Sequence, residues 1–165
     1  FLMTPLPLFL NLVGKTVLIV GGGSVGKRRY DKLLRTGAYI RLVDPAPVPV
    51  WFDSTQGEWI EARFSEEHLH GVALVLACAP TQVNQEITSC ALLHGLWVNN
   101  CSDPDQGNTI FPASGERGLV HLAVSTDRAS PRISVALKDR FLASLDEEFL
   151  AKLETVKQLR ERFIQ

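Results

Sequence analysis

The chain has 165 residues, 45% of them hydrophobic and 21% charged, with 17 basic against 18 acidic side chains for a net charge of -1. That is the size of one compact domain or a domain with a small appendage, too apolar for a disordered chain and too evenly charged for a broad nucleic-acid surface. No apolar run approaches the roughly 18 to 20 residues that cross a bilayer, and three cysteines without a CxxC pair make neither a disulfide scaffold nor a Cys-rich zinc module, so a reducing, cytoplasmic setting is expected.

The opening stretch, Phe1–Val13, is apolar, but it lacks a charged leader and is broken by Pro5 and Pro7, so it reads poorly as a signal peptide. From Lys15 onward short apolar runs alternate with helix-like stretches, the pattern of βα units and a parallel sheet. Thr16–Val20 is β-branched and almost wholly apolar, as a strand covered on both faces should be. A glycine turn follows, then a helix over Lys27–Thr36 with Leu33 and Leu34, closed by Gly37. Tyr39–Val43 is the second strand, and Pro45, Pro47 and Pro49 make the next connection irregular. Trp59–Ala62 alternates like a short strand, and Ser65 caps a short helix that begins at Glu66. Val72–Ala77 is the fourth strand. Thr81–His94 is helical with Val83, Ile87, Ala91 and Leu92 on one face, and Leu96–Val98 is the fifth strand.

There the alternation stops. Asn108–Ala113 and Leu119–Ser125 read as a hairpin joined by the turn Ser114–Gly118. Pro131 opens a helix in its first position, with Ile133, Leu137, Phe141 and Leu145 at helical spacing, and Glu147–Ile164 makes a last helix with a stripe of Phe149, Leu150, Leu153, Val156, Leu159 and Phe163. The organisation expected is a Rossmann-like α/β unit over 1–112 and a hairpin-plus-helix region over 113–165.

Gly21, Gly23 and Gly26 match GxGxxG between a strand and a helix. Gly21 permits the tight turn, Gly23 lets a pyrophosphate approach the backbone, and Gly26 lets the helix pack on the strand. The helix N-terminus offers free N–H groups and a partial positive charge. Asp44 ends the second strand, where a carboxylate accepts from ribose hydroxyls and repels a 2′-phosphate, so NAD is preferred to NADP. The same aspartate before Pro45 also suits a plain turn. No Tyr is followed by Lys four residues on, no HExxH, no GxSxG and no Walker-type GK[ST] after a glycine loop occurs, and the four histidines do not cluster with carboxylates at metal-ligand spacing, so no metal site is expected. After the fifth strand come Asn99, Asn100, Cys101, Ser102, Asp103, Pro104 and Asp105. That is the carboxyl end of the sheet, where ligands bind in open α/β folds. Asp103 there suits proton transfer beside a hydride transfer, and equally a turn chosen for backbone geometry.

Four segments in order, LPLFLNL from Leu6, VLIVGGGSVGKRR from Val17, VNNCSDPDQGNTIFPA from Val98 and LAVSTDRASPRISVALKDR from Leu122, resemble the siroheme synthase dehydrogenase/ferrochelatase family. The resemblance covers residues 5–145. It implies a Rossmann domain, a central dimerisation region and a helical cap extending past the equivalent of Gln165. It also implies oxidation of precorrin-2 to sirohydrochlorin with NAD in siroheme biosynthesis. Some members also insert Fe2+, which makes Fe2+ a candidate second substrate. Carried over by the resemblance, Asp103 is the catalytic residue. Gly21, Gly23, Ser24, Val25, Asp44, Pro45, Ala46 and Cys78 bind the cofactor. Asn100, Ser125, Thr126, Arg128 and Lys138 line the tetrapyrrole site, where Arg132 and Arg140 add positive charge for a polycarboxylate. The chain departs from the family pattern at Cys78 and Ala79, where a threonine and an Asp or Asn are usual, and at Asp127, where a glycine is usual. A homodimer through the second region is expected. The competing readings are a metal-inserting chelatase and a non-catalytic NAD- or tetrapyrrole-sensing module.

Overall fold

Strands β1 (Thr16–Val20), β2 (Tyr39–Asp44), β3 (Gly57–Glu61), β4 (Val72–Ala77) and β5 (Trp97–Asn100) form one parallel sheet in the order β3-β2-β1-β4-β5. The computed structural model describes residues 5–163, divided into one unit through Ile110 and a second from Phe111. Chain direction across the sheet reverses between β1 and β4, the switch point at which open α/β sheets receive ligands.

Helices α1 (Ser24–Leu33) and α2 (Thr81–Leu93) make the crossovers from β1 to β2 and from β4 to β5. Right-handed crossovers running in opposite directions along the sheet put their helices on opposite faces. The burial follows. Leu18 and Val20 join Val43, Val75, Ala77 and Val98 in a core with Ile87 and Ala91 of α2. Val17 and Ile19, the alternate residues of β1, are equally buried, on the face that α1 covers. Covered on both sides, β1 has no use for polar residues.

Several sequence-based expectations shift at their edges. Helix α1 starts at Ser24, three residues before the expected Lys27, because the glycine turn opens directly into it: Lys27 N–H already donates to Gly23 O at 2.9 Å. The short helix over Glu66–Leu69 is a single 3-10 turn, capped reciprocally by Ser65 and His68. Thr88 and Asn84 take inward positions on α2, whereas Leu92 is 41% exposed. The proline-rich connection after β2 is held on α1 by aromatic packing, with Tyr30 against Trp51 and Phe52 at ring-centroid separations of 5.3 and 5.2 Å.

In the second unit, β6 (Ala113–Arg117) and β7 (Val120–Val124) form an antiparallel hairpin. The expected turn Ser114–Gly118 is mostly strand instead. The reversal falls on Gly118 and Leu119, with Gly118 at φ 56°, the left-handed first position that a two-residue II′ turn asks of glycine. Asn108–Ile110, expected to begin the hairpin, is irregular. It is pinned along β5, where the Asn108 side chain accepts from Val98 N–H at 2.7 Å and donates to Leu96 O at 3.0 Å. Helix α3 (Pro131–Ser144) turns Ser134, Lys138 and Leu142 toward the hairpin, and Ile133, Leu137 and Phe141, the residues expected at helical spacing, lie outward. Leu145 caps the helix from outside it. Helix α4 (Glu147–Phe163) buries none of its stripe fully, and the expected end at Ile164 lies outside the described residues. Among the described residues no helix is long and apolar enough to cross a membrane.

Candidate active site

The carboxyl end of the sheet gathers three pieces of chain. The first is the glycine turn leaving β1. Gly21 sits at φ 102° with its N–H on Val43 O at 2.9 Å, and a Cβ there would lie 2.6 Å from Cys78 O. Both the turn and the approach to the end of β4 require glycine. At Gly26 a Cβ would meet Gly21 O at 1.8 Å, so the start of α1 rests directly on the turn. Gly23 is the opposite case. A Cβ there meets no atom within 4 Å, so the space over its backbone is open, at the point where the first N–H groups of α1, from Ser24 and Val25 onward, begin. An open cradle backed by a helix N-terminus fits a dinucleotide pyrophosphate.

The second piece is the end of β2. Asp44 accepts from Gly22 N–H through Oδ2 at 2.6 Å and from Ala46 N–H through Oδ1 at 2.7 Å. The carboxylate thus ties the glycine turn to the β2 loop, and each oxygen keeps a lone pair for a hydroxyl. Pro45 and Ala46 are exposed beside it. Trp59 completes this wall. Its indole donates to Ala46 O at 3.0 Å and closes over Gly22, where a Cβ would meet the ring at 2.3 Å.

The third piece is the loop leaving β5. Asn100 is fully buried, and its Oδ1 accepts from Ser102 N–H at 3.0 Å, Ser102 Oγ at 2.9 Å and Asp103 N–H at 2.9 Å. Its Nδ2 donates to Thr88 Oγ1 at 3.1 Å. The Asp103 carboxylate, half-buried, accepts from Gln106 Nε2 at 2.8 Å and from Asp105 N–H at 3.2 Å. A loop cinched by one buried amide presents its carboxylate in one geometry. Asn84 adds a second brace, accepting from Ala79 N–H at 2.8 Å and donating to Ser102 Oγ at 3.0 Å, which joins the loop to the end of β4.

Beside these lies a pair of thiols. Cys78 and Cys101 Sγ stand 3.5 Å apart, and Cys101 Sγ reaches Asn99 Oδ1 at 3.4 Å. The hydrogen bond from Cys78, helped by Arg29 and Arg28 against the cost of burial, lowers the Cys101 thiol to about 6. The same contact, together with burial, pushes the Cys78 thiol up. Arg29 extends from α1 to Asn99 Oδ1 at 3.4 Å.

The expected site residues fall into two groups. Gly21, Gly23, Ser24, Val25, Asp44, Pro45, Ala46, Cys78, Asn100 and Asp103 share the carboxyl end of the sheet in the first unit. Ser125, Thr126, Arg128 and Lys138 belong to the second. There Thr126 Oγ1 donates to Ser130 O at 3.1 Å and lies 2.9 Å from Ser134 Oγ, organising the start of α3. Ser125 Oγ accepts from Asp127 N–H at 3.3 Å, and Arg128 is exposed at φ 65°. Lys138 lays its stem against Gly115 and its ammonium 2.5 Å from Asp139 Oδ1. Sequence reasoning passed over Asn84, Arg29 and Gln106. Asn84 carries a signal in hindsight, a polar residue at an inward position of an apolar helix face. Among the described residues no three His, Cys, Asp or Glu side chains gather as a cation site.

Comparison with known proteins agrees with this architecture. Residues 8–113 match a family model described as "Putative NAD(P)-binding". A precorrin-2 dehydrogenase of Bacillus subtilis is 32% identical over 161 residues, covering 95% of this chain and 99% of that protein. A siroheme synthase of Photorhabdus laumondii is 30% identical over 97% of this chain, and one of Tolumonas auensis is 34% identical over 87%. The chain spans about a third of the length of these two synthases, at 35% and 31%. A solved structure titled SirC, precorrin-2 dehydrogenase, superimposes with a TM-score of 0.73 at 28% identity, covering 94% of this chain and 79% of that one.

Proposed function

The chain belongs to the precorrin-2 dehydrogenase family, and from that premise we propose that it oxidises precorrin-2 to sirohydrochlorin with NAD. The observation that carries the reading is the Asp103 carboxylate, bound by Gln106 on a β5 loop that Asn100 holds through the Asp103 N–H, at the same end of the sheet as the open cradle over Gly23. NAD, when bound, supplies the hydride acceptor. The proton lost with that hydride needs a base, and in the β5 loop Asn99, Asn100 and Ser102 cannot serve at neutral pH. Asp103 takes it, with the Gln106 amide steering one carboxylate oxygen. Asn100 is a positioning residue that sets where Asp103 points. Gly21, Gly23, Ser24 and Val25 seat the pyrophosphate, while Asp44, Pro45 and Ala46 line the ribose edge. Asp44 disfavours a 2′-phosphate, so NAD binds more tightly than NADP.

The second unit takes part in tetrapyrrole binding through Ser125, Thr126, Arg128 and Lys138, and in a homodimer. The outward faces of α3 and α4 support the dimer: Leu137 is 47% exposed, Val156 61% and Phe163 85%, an apolar surface that a two-fold pairing covers. The cytoplasm, where thiols stay reduced, suits three unpaired cysteines. Metal insertion is the second reading, supported by the same carboxylate, which would accept pyrrole protons as Fe2+ enters the macrocycle.

Incubating the protein with precorrin-2 and NAD while following macrocycle absorbance tests the dehydrogenase. Subsequent addition of Fe2+ tests insertion. An unchanged spectrum beside measurable NAD binding would favour the sensing module.

A further inference from the structure

We propose that Cys78 and Cys101 are a reversible thiol–disulfide site, oxidised by a low-molecular-weight disulfide such as glutathione disulfide, and that its closure weakens dinucleotide binding. The geometry comes from the sheet. Strand β4 pairs with β5 in register, Leu76 beside Asn99 and Ala77 beside Asn100, and one step further the register sets Cys78 beside Cys101. The ladder reaches that step, since Cys101 N–H donates to Ala77 O at 3.0 Å. Neighbouring strands lie about 4.8 Å apart, inside the Cα separation of about 4.4 to 6.8 Å that a disulfide spans. In-register parallel neighbours point to the same face, and the two sulfurs already stand 3.5 Å apart. Closing to a bond of about 2.05 Å needs only small side-chain rotations and backbone adjustment. Neither residue is fully buried.

The pair is chemically asymmetric. Cys101 is the thiolate side, with Cys78 donating to it and Arg29 and Arg28 close enough to favour negative charge. Its sulfur attacks one sulfur of glutathione disulfide, forming a Cys101–glutathione mixed disulfide and releasing one glutathione thiolate. The Cys78 thiol then gives its proton to solvent and its sulfur attacks Cys101 Sγ, releasing the second glutathione. Two protein thiols are oxidised and one disulfide is reduced to two thiols.

The consequence for the cofactor follows from what each cysteine touches. The Cys78 backbone packs against Gly21 so closely that no Cβ fits between them, and Cys101 lies two residues before Asp103. A shift that draws the two strand ends together is passed to the glycine turn on one side and to the Asp103 loop on the other. This effect rests on the proposed function; the disulfide does not.

The test uses the whole protein treated with glutathione disulfide at rising ratios to glutathione. Cleavage at Glu86 separates Cys78 from Cys101, so mass spectrometry reads a Cys78–Cys101 link directly, with Cys90 still open to alkylation. The expected result is that link in the native protein and in Cys90→Ser. Cys78→Ser keeps a stable glutathione adduct on Cys101, and Cys101→Ser leaves Cys78 a thiol. Alkylation of Cys101 in the reduced protein should fall off as pH drops through about 6, because the thiolate is lost there. Three free thiols at every ratio, or an adduct on Cys90 alone, overturns the proposal. NAD titration by calorimetry should then show several-fold weaker binding to the oxidised form, reversed by dithiothreitol. Equal affinity of both forms overturns the coupling. If neither form binds NAD while the link still forms, the proposed function fails and the thiol site stands.

Discussion

Replacing Gly23 by alanine separates the stability of the glycine turn from its capacity for a dinucleotide. Gly23 has φ -69° and ψ -169°, backbone that alanine adopts without strain, and its Cβ would meet nothing within 4 Å. Folding stability should therefore hold or rise by up to about 1 kcal/mol, since alanine restricts the unfolded chain. The new methyl nonetheless occupies the cradle itself. Pushing a pyrophosphate away from the N–H groups of α1 should weaken NAD about tenfold or more, equivalent to ~1.4 kcal/mol. Gly26→Ala is the matched contrast. Its Cβ would sit 1.8 Å from Gly21 O, so the helix must move off the strand. Overpacking of that kind costs about 1 to 3 kcal/mol of stability. Urea denaturation and calorimetric titration of NAD on both variants decide the matter. Wild-type NAD affinity in Gly23→Ala would refute the reasoning, because no phosphate could then lie over Gly23.

Asn100→Ala removes the acceptor of three hydrogen bonds and the donor of a fourth from a fully buried position. It should cost about 3 kcal/mol in chemical denaturation, and turnover should fall further than NAD affinity as the Asp103 loop loosens. Arg128→Gly acts in the other direction. A side chain at φ 65° costs about 1 to 2 kcal/mol, glycine's extra unfolded-state entropy returns about 0.5 to 1, and a net gain of ~0.5 kcal/mol should appear as a higher urea midpoint.

The first unit was legible because its residues answer to local rules. Buried parallel strands need apolar runs, so Thr16–Val20 and Val72–Ala77 stand out, and GxGxxG fixes where the sheet turns toward a ligand. Asp44 makes the turn that its plainer reading expects, accepting from Ala46 N–H, and it also accepts from Gly22 N–H, a contact that neither reading foresaw. What stayed hidden depends on contacts distant in sequence. Nothing near Asn84 announces that it will bond Ser102, eighteen residues on, and Cys78 and Cys101 become a pair only through the β4–β5 register. The hairpin was misjudged for a different reason. Ser114–Gly118 has turn composition, yet Gly115 sits in strand β6 because Leu142 and Lys138 of α3 fill the space where its side chain would be. Helix α3 starts at Pro131 as expected but ends before Leu145, and helical spacing alone does not say which of two half-apolar faces meets the protein's own hairpin.

The most direct test of the dehydrogenase account is turnover of precorrin-2 by Asp103→Ala beside Asp105→Ala, with NAD binding measured on both. Asp103 lies on the β5 loop, away from the turn of Gly21, Gly23 and the start of α1 that is proposed to seat the pyrophosphate, so its loss should leave NAD affinity nearly intact. Oxidation should fall by about a hundredfold or more, the usual loss for a general acid or base. Asp105 is exposed, and its backbone N–H, which alanine keeps, donates to the Asp103 carboxylate, so Asp105→Ala should keep most of its activity. An inactive Asp105→Ala beside an active Asp103→Ala would move the base to the other carboxylate. Full activity in both would contradict the assignment of proton removal to this loop.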